Sequence, residues 1–196
     1  GRVGLSAPVG ASGMRVGANA SLMLYRVINP DFSNLNVKGQ ASTVGLDATY
    51  PIYRSALANT YLNGSVNRSD FLNTNVLGTN SQYNTSVLQL GLLANRQDGW
   101  GGGGFMLSAL NLSLGKVDLT NSPSQAADGV GPQVEGGFGK LRYSLNRQQS
   151  IVGKFSGYLS LGGQFASKNL DASVIVVLVD AGCSLQLHLY IRYYIR

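Results

Sequence analysis

Apolar and polar residues alternate with period two along most of this chain, and that repeat constrains the fold more than any other feature. Side chains that change face at every residue belong to extended strands with one apolar side. From residue 14 to 25, Met14, Val16, Ala18, Ala20, Leu22 and Leu24 alternate with Arg15, Gly17, Asn19, Ser21, Met23 and Tyr25. Val44, Leu46, Ala48 and Tyr50 alternate with Thr43, Gly45, Asp47 and Thr49. The same pattern places Leu88, Leu90 and Leu92 on one face, then Leu110, Leu112 and Leu114, then Leu141, Tyr143 and Leu145, then Leu159 and Leu161. With an opening strand over residues 3–9 and a weaker run over 59–66, the sequence predicts about eight strands and no helix.

The predicted connections alternate as well. Short ones fall at 9–13, 51–57, 95–103 and 146–153, and long ones, rich in Asn, Ser, Gly and Asp, at 27–38, 67–84 and 116–137. A meander with every long loop on one side is the plan of an outer-membrane β-barrel, whose strands face lipid and lumen in turn. Composition fits that plan. Only 12% of residues are charged, against about 25% in soluble domains. The apolar run from Val174 to Val179 stops at Asp180, far short of the roughly 18 residues of a spanning helix. Tyr50, Tyr53, Tyr61, Trp100 and Phe105 lie beside the short turns, where an interfacial aromatic girdle is expected.

Several kinds of chemistry are excluded or disfavoured. The single cysteine (Cys183) and single histidine (His188) cannot make a disulfide framework or a Cys/His zinc site. No Gly-x-Ser-x-Gly elbow accompanies the histidine, and the nine acids are scattered. No enzyme activity, cofactor or metal is therefore expected. The net charge is +6 with a pI of about 9.6, yet the basic residues stand singly, so no nucleic-acid partner is expected. The four glycines at 101–104 precede a strand rather than a phosphate-binding helix, which makes them a tight turn.

Strand parity alone assigns a lumen face to Arg15, Asn19, Asp47, Gln89, Asn111, Arg142, Ser160 and Gln164, with Asp47 paired to an arginine inside the barrel. Gly17, Gly45, Gly91 and Gly162 fall on the same face and leave room there. Such room suits a wide barrel around a plug better than a small barrel filled by its own side chains.

Four segments carry a family resemblance. Ser6-Ala7-Pro8-Val9-Gly10 followed by Met14-Arg15-Val16-Gly17-Ala18 resembles the early barrel strands of the haemolysin secretion/activation transporters. Tyr50-Pro51-Ile52-Tyr53-Arg54-Ser55 is similar to the family's next short turn. Asn95-Arg96-Gln97-Asp98-Gly99-Trp100-Gly101-Gly102-Gly103-Gly104 is similar to its Arg-Asp-Gly-aromatic-Gly-Gly-Gly turn. Gly162-Gly163-Gln164-Phe165-Ala166-Ser167-Lys168-Asn169-Leu170-Asp171 resembles the strand before its pore loop. The four occur in family order.

The resemblance implies a bacterial outer-membrane barrel of two-partner secretion, which takes a large unfolded exoprotein from the periplasm, exports and activates it. Its partners would be that exoprotein and outer-membrane lipid. Residues 1–171 would supply about eight or nine strands of a sixteen-stranded antiparallel barrel. The family's periplasmic domains are missing from this chain, and its Val-Arg-Gly/Ala-Tyr loop has no match here. Residues 172–196 therefore read as a divergent tail, from a shifted frame or a truncated gene, although clean alternation over 185–195 leaves a genuine strand open. Two other readings stand beside the transporter: a small complete barrel serving as adhesin or anchor, and a soluble secreted β-sandwich that binds through its long loops.

Overall fold

The computed structural model describes residues 1–26, 37–76, 78–120, 122–131, 133–152, 155–167 and, as backbone, 186–194. They form one sheet of nine strands, each beside its neighbour in the chain: β1 (Arg2–Val9), β2 (Met14–Arg26), β3 (Lys38–Arg54), β4 (Ala58–Asn75), β5 (Gly78–Asp98), β6 (Gly104–Asp118), β7 (Gly136–Val152), β8 (Phe155–Ala166) and β9 (Gln186–Tyr194). The first eight pair antiparallel. A six-residue helix, α1 (Gln125–Val130), lies in the connection between β6 and β7, where no helical period marks the residues.

Two expectations are corrected at the edges. Among the described residues the sheet is open, because no strand joins β1 to the far edge; these strands do not close as a small barrel. The alternating tail does contain a strand, but β9 runs parallel to β8. An up-and-down meander needs an antiparallel ninth strand, so β9 does not extend it. Cys183 lies outside the described residues.

A third correction concerns the long connection expected over 67–84. Instead, β4 runs through to Asn75 and β5 starts at Gly78, so the two strands form a long hairpin. Polar residues populate both faces of its far part. They pair across strands, as Asn73 Nδ2 does in donating to Ser81 Oγ at 2.8 Å. Where both faces of a hairpin are polar, apolar alternation vanishes while the strands persist.

Register turns local alternation into two continuous faces. Leu5, Ala18, Leu46, Val66, Leu88 and Leu114 form one row across six strands. Ala7, Val16, Ala48, Gly64, Leu90, Leu112, Leu141 and Phe165 form the next across eight. No second sheet covers this face among the described residues: Leu5 is 80% exposed and Leu46 65%. A β-sandwich would bury it. Toward the long connections the band ends on β4 and β6 at Arg68 and Lys116, which share a row with Ser86.

The aromatics divide by face. Tyr50 lies on the apolar face, in register with Leu62. A bulge between Pro51 and Tyr53 resets β3, so Tyr53 pairs with Thr60 and joins that face too. Tyr61 and Phe105 point the other way, opposite Leu93 and Gln97. The expected girdle is thus half right, because closeness to a turn does not fix a side chain's face.

Candidate functional site: the polar face of the sheet

All eight residues assigned by parity share the face opposite the apolar band. Arg15, Asn111, Arg142 and Gln164 lie on one row with Thr49, Asn63 and Gly91. Asp47 and Gln89 lie on the next, with Gly17 and Ser65. Asn19 stands one row beyond, opposite Gly45. Ser160 is farther toward the short turns, opposite Asn146. They make a wall rather than a focal site.

Side-chain hydrogen bonds, most of them between strands, knit the wall. Arg15 Nη2 donates to Ser6 Oγ at 2.8 Å. Ser65 Oγ donates to Gln89 Oε1 at 3.3 Å and accepts from Asn67 Nδ2 at 3.1 Å. Thr49 Oγ1 donates to Asn63 Oδ1 at 3.1 Å, and Ser160 Oγ to Asn146 Oδ1 at 2.7 Å. Asp47 departs from expectation: among the described residues it is met by the Asn19 amide at 3.4 Å rather than by an arginine. Its register neighbours are Gly17 and Ser65, so no guanidinium stands directly opposite.

The glycines also work differently from the reading that they leave room. A Cβ on Gly17 would stand 2.8 Å from Asp47 Oδ2, one on Gly91 would stand 2.7 Å from Asn111 Oδ1, and Gly45 lies under Asn67 in the same way. In each pair a polar side chain from the following strand lies back over the glycine of the strand before. Only Gly162 of the four stays clear of neighbouring side chains. The outcome is a hydrogen-bonding surface of mostly uncharged side chains, with Arg15, Lys140 and Arg142 spaced along it and Asp47 among them.

The turn joining β5 to β6, whose Asp98, Trp100 and glycines the sequence marks, is held from β7 by Arg147 and Gln149, which the sequence does not mark. Arg147 and Asp98 make a bidentate ion pair, Nη1 to Oδ2 and Nη2 to Oδ1, both 2.9 Å. Gln149 Oε1 accepts from Arg147 Nε at 3.0 Å, while Gln149 Nε2 donates to the carbonyls of Trp100 at 2.7 Å and Gly103 at 3.1 Å. The Arg147 guanidinium lies 5.4 Å from the centroid of the Trp100 ring, within cation–π range. Gly101, Gly102 and Gly103 all have positive φ, at 59°, 99° and 96°, which glycine adopts without steric penalty. Outside the apolar band, the hydrogen bond from Arg147 holds the Asp98 carboxyl below the usual carboxylate range, helped by the Trp100 N–H. Nothing in the pattern around Arg147 and Gln149 marks this role, since their partners lie nearly fifty residues earlier.

No family model and no curated protein matches the sequence. Among solved structures the sheet is similar to CdiB from Escherichia coli, at a TM-score of 0.62 and 18% identity, over 86% of this chain and 31% of that one. The chain thus spans under a third of that protein's length. At this identity the likeness shows the fold: the sheet is built as part of the CdiB barrel is built.

Proposed function

We propose that this chain is part of an outer-membrane translocation pore that exports and activates a large partner protein of haemolysin or adhesin type by two-partner secretion. The observation that carries the reading is the two-faced register. One face is apolar over six to eight strands and, among the described residues, is left uncovered by protein, as a lipid-facing surface is. The other is polar and mostly uncharged, able to exchange hydrogen bonds with the backbone of an extended chain that would be intolerable in lipid. The likeness to CdiB and the four motif-like segments support the same reading. Arg15, Asn19, Asp47, Gln89, Asn111, Arg142, Ser160 and Gln164 would then line the lumen, and the unfolded exoprotein would arrive from the periplasm. No chemical step is assigned to any of them, and the protein is not read as an enzyme.

The test is export. The full-length protein, expressed in a Gram-negative host with the exoprotein encoded beside it, should fractionate with the outer membrane and need detergent for release. It should also deliver the exoprotein to the medium, and deleting it should trap the exoprotein in the cell. Equal secretion with and without it would refute the reading.

A further inference from the structure

The polar face is not polar throughout. Near the long-connection end it carries Tyr83, Val87, Val117 and Phe138, which share the parity of Gln89, Asn111 and Arg142 through the pairs of Thr85 with Val117, Val87 with Gly115 and Gly115 with Phe138. Apolar groups there would face water if the β6–β7 connection stood away from the rim. It folds in over them. Val117 is 1% exposed and forms a buried cluster with Leu119 and Phe138, against which Tyr83, Val87 and Val134 pack.

Polar ties hold the connection in that position. β5 outruns β6, whose last residue, Asp118, pairs with Asn84. The Gln82 N–H beyond that point donates to Ser122 Oγ at 3.1 Å. Asp128, itself buried, accepts the N–H groups of Val134 at 2.9 Å and Glu135 at 3.0 Å, closing the loop behind α1. A cleft lies between Ser81 and Tyr83 on the sheet and Ala127 and Val134 on the connection.

We propose that the β6–β7 connection, through its described residues 119–120, 122–131 and 133–135, is a fixed constriction of the pore, folded into the bore at its long-connection end and setting the width an exported polypeptide must pass. This rests on the transporter reading, since the polar face bounds a bore only if the sheet belongs to a pore. The full-length protein is reconstituted in planar bilayers in three forms: wild type, a variant with residues 120–135 replaced by an Asn-Gly turn, and the double variant Leu119→Asn, Phe138→Asn, which keeps the loop but removes its apolar anchor. Heat-modifiability on gels confirms that each barrel has folded. Both variants should show a rise in unit conductance and admit larger neutral polymers than wild type. A conducting wild type with both folded variants unchanged in conductance and polymer cutoff overturns the constriction alone. A folded protein that conducts in none of the three forms overturns the transporter reading and this inference with it.

Discussion

The two connections that flank β6 are held by opposite chemistry. The β5–β6 turn is clamped by a half-buried ion pair, a glutamine bridging carbonyls and an arginine over the exposed Trp100. The β6–β7 connection is held by buried Val117, Leu119 and Phe138, with polar ties only around them. The difference follows chain geometry. Residues 99–103 are too few to bury a side chain, and Gly101, Gly102 and Gly103 adopt positive φ, so fixed hydrogen bonds define the turn. Residues 119–135 are enough to bring apolar groups onto the sheet and remove them from water.

The comparison predicts a graded set of losses. Phe138→Ala should have the largest effect, about 3 kcal/mol by the usual cost of truncating a buried aromatic, read from denaturant unfolding of the protein in detergent. Gly115→Ala comes next, because a Cβ would stand 2.5 Å from Phe138 Cζ and 3.0 Å from the Ser86 carbonyl; overpacking of that kind costs about 2 kcal/mol. If Gly115→Ala equals wild type in that measurement, the ring does not lie over the glycine.

At the other end, Gly102→Ala places a side chain at φ 99° and should cost about 1–2 kcal/mol of backbone strain. Trp100 is the only tryptophan, so its fluorescence anisotropy reports this turn and not the β6–β7 connection. Arg147→Lys keeps the charge but loses the fork that holds Asp98 and Gln149 together. It should lower Trp100 anisotropy while leaving global unfolding nearly unchanged; a large shift in the unfolding midpoint would show that the clamp supports more than its turn.

Acid gives the smallest effect. With the Asp98 pKa depressed in the folded state, its contribution is complete above the ordinary value of 3.8 and fades as pH falls from there through the folded value. Trp100 anisotropy should drop over that acid range in wild type, and Asp98→Asn should abolish the pH dependence while starting from the lower value.

Much of this architecture was legible in the sequence. The parity of Leu88, Leu90 and Leu92 against Gln89 and Gly91 is a local property, fixed by the two-residue repeat of any strand, and it placed all eight polar-face residues together correctly. The long hairpin of β4 and β5 was missed because its water-exposed end carries no apolar face to reveal the repeat. Arg147 and Gln149 were missed because a clamp between residues 49 apart leaves no mark in either local pattern.

The sequence by itself thus determined that the chain is strands, that most of them carry an apolar and a polar side over their middle, and which residues occupy those sides there. Tertiary structure alone decided how those strands meet: that a bulge in β3 turns Tyr53 to the apolar face, that Asp47 lies over Gly17 beside Asn19, that β9 runs parallel to β8, and that the β6–β7 connection folds onto the polar face. The physical reason is one of range. Side-chain direction along a strand is set by covalent geometry within two residues, whereas register and loop placement are set by hydrogen bonds and apolar burial between segments far apart in the chain.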